Sequence, residues 1–191
     1  MATLPTIETQ AKVASEAAQN FIDHYYESLN KRHPLAGYYS SASALLTAAG
    51  ARPDLSINGQ PLASAAEYEA LLAAQGGPVS YEVGSWDAQP VNPDCRLGCP
   101  EHLLPPLPSA NSSTGSGNGS NNEKAVRDGE RVSLAVQVSG TVRYGRPGED
   151  GAVARAFSEA WLLVPHWEAH GRNAPRSARR WLVVSQNFRA L

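Results

Sequence analysis

The sequence has almost no cysteine, a single methionine and almost no net charge. Among 191 residues there are two Cys and one Met, and the formal charge is −2. Two cysteines do not make a disulfide framework. A charge near zero excludes a strongly electrostatic nucleic-acid binder and leaves room only for a local basic patch. No apolar run approaches the ~20 residues that cross a bilayer. The longest, Ala160 to Val164, stops at Pro165. The first residues, Met1 to Glu8, lack a basic region followed by an apolar one, so no signal peptide and no membrane partner are expected. The sequons at Asn111 and Asn118 then carry no weight. With 42% hydrophobic residues, the expectation is one domain spanning 1–191.

The first third reads as helical. Ile7, Ala11, Ala14, Ala18, Phe21, Tyr25 and Leu29 recur at spacings of three and four and form one apolar stripe. Lys31, Arg32 and His33 suit the helix C-terminus, and Pro34 ends it. Leu35 to Tyr39 fits a short second helix. Leu45-Leu46-Thr47 and Leu55-Ser56-Ile57 read as short strands. Asn58-Gly59 is the favoured pair for a tight type I′ turn into Gln60-Pro61-Leu62. Ser64-Ala65-Ala66-Glu67 is a capping box that opens a third helix, ended by Gly76-Gly77-Pro78. Val79 to Val91 follows as an extended strand.

Composition changes from Asn92 to Asp128. The tract Ser109 to Asn122 holds almost no apolar side chain and cannot offset its ordering entropy. Residues 92–128 are therefore expected to form a partly disordered loop insertion within the domain. Three β-type runs come last: Arg131–Tyr144, Ala154–Val164 and Arg180–Phe188. Val132, Leu134, Val136 and Val138 alternate with polar residues. The second run reads as apolar on both faces and so is covered on both. The fold class is α+β: a curved antiparallel sheet with three helices packed on one face.

Several constellations invite chemistry. Asp23, His24, Tyr25 and Tyr26 hold an acid, a base and hydroxyls. Adjacent helical residues diverge by about 100°, so Asp23 and Tyr25 do not share a face. An enzyme reading requires a cavity that holds His24 or Asp87 beside a tyrosine. Cys95, Cys99 and His102 lie within eight residues, but a closed zinc site needs a fourth ligand, so free thiols are expected. Gly115 to Gly119 lacks the Lys-Ser/Thr of a phosphate loop. Arg172, Arg176, Arg179 and Arg180 make a basic loop before the last strand, a candidate phosphate-contacting patch for RNA without base readout.

Asn20 to Leu29, Ile57-Asn58-Gly59, Asp87-Ala88-Gln89-Pro90-Val91, Val138 to Val142, Ala156 to Leu163 and Trp181 to Arg189 resemble, in order and spacing, the nuclear transport factor 2-like family. The resemblance covers the chain except residues 92–128. Gln89-Pro90-Val91 and Ser139-Gly140-Thr141-Val142 are similar to the branch that forms small subunits of nuclear mRNA export heterodimers. That resemblance implies a non-enzymatic adaptor without cofactor or metal. Its partners would be the nuclear transport factor 2-like domain of a large export receptor and phenylalanine-glycine-repeat nucleoporins, with RNA or ribosomal-subunit contact. It would work in nucleus and cytoplasm, at nuclear pores. Other branches are homodimeric import carriers that bind a small GTPase, and small-molecule isomerases or dehydratases.

The sheet face turned away from the helices is the expected partner surface. Gln137, Ser139, Thr141 and Arg143 are assigned to it, with Glu159 and Trp161 on the second run and Asn187 and Arg189 on the third. On the last strand Leu182, Val184 and Phe188 are expected to face the helices, unless a bulge shifts the register. Arg189 should meet a partner carboxylate, as the family's Phe-Arg ending implies.

Overall fold

Thr6 starts the first helix. Its Oγ1 accepts the Thr9 N–H at 3.2 Å and satisfies one orphan donor of the first turn. The structure, a computed structural model, describes residues 4–104, 118–146, 148, 151–170, 174 and 178–191. Helix α1 (Ile7–Lys31) ends where Arg32 turns left-handed at φ 55° and its N–H returns to Leu29 O. The apolar stripe is buried from Ala14 onward, through Phe21, Tyr25 and Leu29. Ile7 is 83% exposed and Ala11 is also exposed, so the first turns do not join the core as the spacing predicts.

Residues Ala36–Tyr38 form one 3₁₀ turn, not a longer helix. Leu45-Leu46-Thr47 is not a strand. It lies in α2 (Ala44–Ala48), capped by Ser43 Oγ accepting from Leu46 N at 3.1 Å. The carboxylate of Glu168 takes the Ser43 hydroxyl at 2.8 Å and the Leu45 N–H at 3.1 Å. A distant acid thus closes the helix start and overrides local β propensity. The Asn58-Gly59 turn forms as expected between β1 (Asp54–Ile57) and β2 (Gln60–Leu62), with φ of 53° and 84°. Helix α3 (Ala65–Ala74) has the capping box: Ser64 Oγ accepts from Glu67 N at 3.2 Å, and Glu67 Oε2 accepts from Ala63 N at 2.8 Å.

The remaining strands are β3 (Val79–Asn92), β4 (Ser133–Tyr144), β5 (Val153–Pro165) and β6 (Trp181–Ala190). They make one sheet in the order β2-β1-β6-β5-β4-β3. It is not wholly antiparallel: β1 pairs with β6 in parallel, Asp54 opposite Ser185 through Ile57 opposite Phe188. The main core lies between α1, α3 and one sheet face. Phe21, Ile22, Tyr25, Tyr26, Tyr68 and Leu72 meet Val136, Val138, Phe157, Trp161, Leu163, Val183 and Phe188 there. Each large apolar side chain fully buried in it contributes roughly 1.5–3 kcal/mol.

The other face has a cover of its own at one end. Leu163 and Val183 point into the main core, so Val164 and Leu182 point the other way. There they pack with Leu46 of α2, Trp167 and Cys95. Leu182 therefore faces away from α1, contrary to the expected parity. The cause is a bulge: Leu162 pairs with Ser185 and Leu163 with Val183, so Val184 is the extra residue. Residues 92–104 of the insertion are tied down rather than loose. Cys95 N donates to Arg131 O at 2.9 Å, and Trp167 Nε1 donates to Leu97 O at 2.6 Å. The Arg131 side chain, 2% exposed, donates to Leu103 O and stands 3.4 Å from Asp94 Oδ1. A fourth helix among the described residues, α4 (Asn118–Arg127), buries Val126. It takes in Asn118 to Asn122, where the composition predicts a loop; Ser109 to Gly117 lie outside the described residues.

Candidate functional site

The rest of the outer face is bare among the described residues. Gln137, Ser139 and Arg143 are exposed and Thr141 half-buried, alternating with buried Val136, Val138 and Val142. Opposite them on β5 stand Ala160, Ser158, Ala156 and Ala154. Asn187 and Arg189 of β6 face Ala160 and Ser158. The surface is thus mostly Ala, Ser and Thr, with charge at its margins. Short side chains let a second sheet approach to the ~10 Å of face-to-face packing. Arg143 reaches Glu82 at 3.4 Å, an exposed pair that contributes little alone. Arg189 rests against Gly59, where a Cβ would stand 3.1 Å from its Nη1. Ala190 N donates to Asn58 Oδ1 at 2.8 Å, so the end of β6 is pinned to the β1–β2 turn.

Two of the residues assigned to this face lie on the other. Trp161 is 3% exposed and packs edge-on against Tyr25 and Phe21, with ring centroids 5.0 and 5.3 Å away. Glu159 is fully buried. The register explains both: Trp161 pairs with Val136 and Glu159 with Val138, and those valines face the helices. Over the bare stretch the outward residues of β5 are instead Ala154, Ala156, Ser158 and Ala160. Phe157, Glu159, Trp161 and Leu163 share one parity, and that alternation is the signal that places a carboxyl among core residues.

Glu159 anchors a closed polar network. Tyr26 O–H donates to its Oε2 at 2.5 Å, and Gln186 Nε2 donates to its Oε1 at 2.5 Å. Gln186 Nε2 also donates to Tyr25 Oη at 2.8 Å, and Tyr39 O–H donates to Gln186 Oε1 at 2.6 Å. Tyr25 then donates to Tyr39 at 3.0 Å, completing a ring. Burial pushes the Glu159 carboxyl up to about 7, against the pull of the Tyr26 and Gln186 hydrogen bonds. Burial likewise raises Tyr25 and Tyr26 well above the ordinary phenol.

This acid and these hydroxyls resemble the raw material of acid–base catalysis, but aromatic rings fill the space a substrate would need. Tyr26, Phe157, Trp161 and Phe188 pack around the carboxyl with centroid spacings of 5.4–5.8 Å. His24 does line a groove of about 780 Å³ with Tyr38. Yet the Tyr38 hydroxyl donates to His24 O at 2.7 Å and meets Ser28 Oγ at 2.7 Å, while the Arg179 guanidinium covers the ring at 3.6 Å. Asp23 is exposed and accepts from Gln19 at 2.8 Å, and Asp87 is exposed on the opposite side of the sheet from Tyr26. The geometry does not bring these candidates together. Cys95 and Cys99 are free thiols pushed up by burial, and no group of three metal-ligating residues converges among the described residues. Of the basic loop, Arg179 is engaged on Tyr38 and Arg180 is exposed; Arg172 and Arg176 lie outside the described residues.

No family model and no curated protein matches the sequence. Solved structures do. A chain of the Mex67:Mtr2 complex with bound Sac3N peptide superposes with a TM-score of 0.76 at 29% identity, covering 93% of this chain and 99% of that one. Mtr2 in complex with the Mex67 NTF2-like domain of Chaetomium thermophilum gives 0.75 at 29%, covering 93% and 98%. A further Mtr2 structure gives 0.73 at 26%, covering 93% and 99%. A putative scytalone dehydratase from Novosphingobium aromaticivorans, at 0.55 and 10% identity over 97% of this chain and 89% of that one, shares the fold alone. The chain thus has the nuclear transport factor 2-like fold and, within it, is Mtr2-like.

Proposed function

We propose that this protein is the small subunit of a heterodimeric nuclear mRNA export receptor. The bare sheet face would hold the nuclear transport factor 2-like domain of the large subunit, as Mtr2 holds that of Mex67. The likeness to Mtr2 over 93% of the chain carries this reading. The outer face supports it: small side chains across β4, β5 and β6 leave a surface fit for another sheet, and the chain's own cover stops at Leu182 and Val164. The pair would carry ribonucleoprotein, large ribosomal subunits included, through pores by engaging phenylalanine-glycine repeats, and would be found in nucleus and cytoplasm. Gln137, Ser139, Thr141, Arg143, Asn187 and Arg189 are the contact residues of the proposal. The basic loop with Arg180 is the proposed RNA contact, in which case RNA binding weakens steeply with added salt. The protein acts through surfaces and not as an enzyme, a reading supported by the sealed surroundings of Glu159.

Co-expression with the nuclear transport factor 2-like domain of the large receptor tests the proposal. A stable one-to-one complex is expected. A well-behaved homodimer that ignores that domain and binds a small GTPase would replace it with the import-carrier reading.

A further inference from the structure

Arg179 is fixed in place and lacks a counter-charge. Its guanidinium lies 3.6 Å over the ring of Tyr38, whose hydroxyl donates to His24 O at 2.7 Å. Its Nη1 is backed by Gly37, where a Cβ would stand 3.1 Å away. It makes no ion pair with a described residue, and its Nε–H is buried with no acceptor among them. A buried donor left unpaired is unfavourable and marks a place where a partner is missing. Arg131 shows the contrast, since it has both Asp94 and Leu103 O.

Arg179 stands at one end of the groove of about 780 Å³ that runs along α1. Ala17 and Phe21 of α1 and the ring of Trp181 give this groove its apolar lining. Trp181 Nε1 donates to Val132 O at 2.9 Å, so the indole has no polar atom left to satisfy. At the other end are Glu16, Asp128 and Glu130. Gly129 packs on α1 there, and a Cβ on it would stand 2.9 Å from Val13 Cγ2. Glu16 and His24 are about 12 Å apart along α1, so the two ends are distinct. The carboxylates have cations of their own: Lys12 and Arg127 at 3.8 Å, and His170 at 3.5 Å. The charge in the groove that lacks its opposite is that of Arg179.

We propose that this groove docks an extended segment of another protein that carries one carboxylate beside one large apolar side chain. The carboxylate pairs with Arg179, and the apolar side chain covers Phe21 and Trp181. In an extended chain, residues two apart point to the same side, which suits such a pair at positions i and i+2. The carboxylate supplies the counter-charge that the chain itself does not, and a charge-assisted Arg–carboxylate pair gives both strength and direction. An RNA strand fits less well, since its phosphates would run past Glu16, Asp128 and Glu130 along the same groove. The groove lies on the helix side of the sheet, so it stays open when the outer face is covered and does not depend on the heterodimer.

The test uses the full chain and a synthetic seven-residue peptide of serines with one glutamate and one leucine two positions apart. Binding is followed by NMR at low salt. Saturable binding is expected, with shifts at Phe21, His24, Arg179 and the Trp181 indole. Replacing the glutamate by glutamine, or the leucine by serine, should each raise Kd about tenfold. Arg179→Gln should raise it by about the same factor. Asn20→Glu, at an exposed position of α1 within the groove, should also raise Kd about tenfold with the fold unchanged by circular dichroism. That variant tests the site even if Arg179→Gln unfolds the chain. Equal binding of the glutamine peptide, shifts confined to another surface, no saturation at millimolar peptide, displacement of the peptide by a uridine oligonucleotide, or unchanged affinity of Asn20→Glu would each overturn the proposal.

Discussion

The guanidinium of Arg189 rests against Gly59, at the one turn among the described residues where two successive residues have positive φ. Glycine suits the place twice over: it accepts the left-handed φ, and a Cβ would crowd Nη1 at 3.1 Å. The turn that ends β1 therefore also fixes the last charged side chain of β6, and holds it over the bare face. Arg189→Asp should abolish co-purification with the large-subunit domain while the isolated chain keeps its melting temperature. Removing one member of a buried pair costs about 3–5 kcal/mol, which is enough to lose a complex. Gly59→Ala should weaken binding less, by displacing the guanidinium and straining a left-handed turn at about 1 kcal/mol. A complex that survives Arg189→Asp unchanged would remove this part of the face from the interface.

Trp161 gives the opposite pattern. It is enclosed by Phe21, Tyr25 and Tyr26 and contributes nothing to the outer surface. Trp161→Ala should cost about 3–5 kcal/mol of stability by leaving a cavity. Chemical denaturation measures that loss. Partner affinity, measured at a temperature where the variant is still folded, should be unchanged. A loss of affinity in a fully folded variant would mean that the outer face is deformed through β5.

The elements that form as the sequence predicts are those decided by neighbours in the chain. Asn58-Gly59 and the Ser64–Glu67 capping box carry their own geometry. The elements that depart from expectation are decided from afar. Helix α2 depends on Glu168, more than a hundred residues away, for its cap. The inward turn of Leu182's neighbour Val183 depends on a bulge at Val184, which no alternation in β6 announces. Of the site, the parity of β4 is legible, because Val136, Val138 and Val142 are unambiguous. The parity of β5 is less so: Phe157, Glu159, Trp161 and Leu163 alternate, but Ala160 and Leu162 dilute the pattern. Trp161, whose size suits an interface anchor, is for that reason easily misplaced, and it forms the floor of the core.

Arg131 tests whether the insertion belongs to the fold. It is buried, and its guanidinium joins Asp94 and Leu103 O, holding residues 92–104 against the end of β4. Arg131→Met should cost about 1–3 kcal/mol, because Leu103 O loses its donor, while Asp94 keeps Arg96 at 2.6 Å. The local readout is Cys95, which lies within that segment and is 6% exposed. Its reaction with a thiol reagent should be slow in the wild type and much faster in the variant, with Cys99→Ser as background to isolate the signal. Equal rates would mean that other contacts, such as Trp167 to Leu97 O, hold the segment alone.

The buried carboxyl makes a prediction with a definite sign. Burial raises Glu159 from 4.5 to about 7 in the folded chain, and nothing does so once the chain unfolds. Between those values the folded state therefore binds a proton that the unfolded state releases. By linkage, stability is highest below about pH 4.5 with respect to this group. It falls as the pH rises, and the contribution is fully lost above about pH 7. Over that window the change is about 3 kcal/mol, since each tenfold difference in proton affinity between the two states is worth about 1.4 kcal/mol. Other groups titrate in the same range, so the comparison is with Glu159→Gln, which keeps the shape and cannot ionise. The amide loses the bond from Tyr26 O–H, so the variant should be less stable near pH 5. It should close the gap, or pass the wild type, near pH 8, where the wild type carries a buried charge with no cation beside it. Urea denaturation of both proteins from pH 5 to 8 measures the difference. Parallel curves would show that Glu159 has the same proton affinity in both states, and that the hydrogen bonds from Tyr26 and Gln186 offset its desolvation.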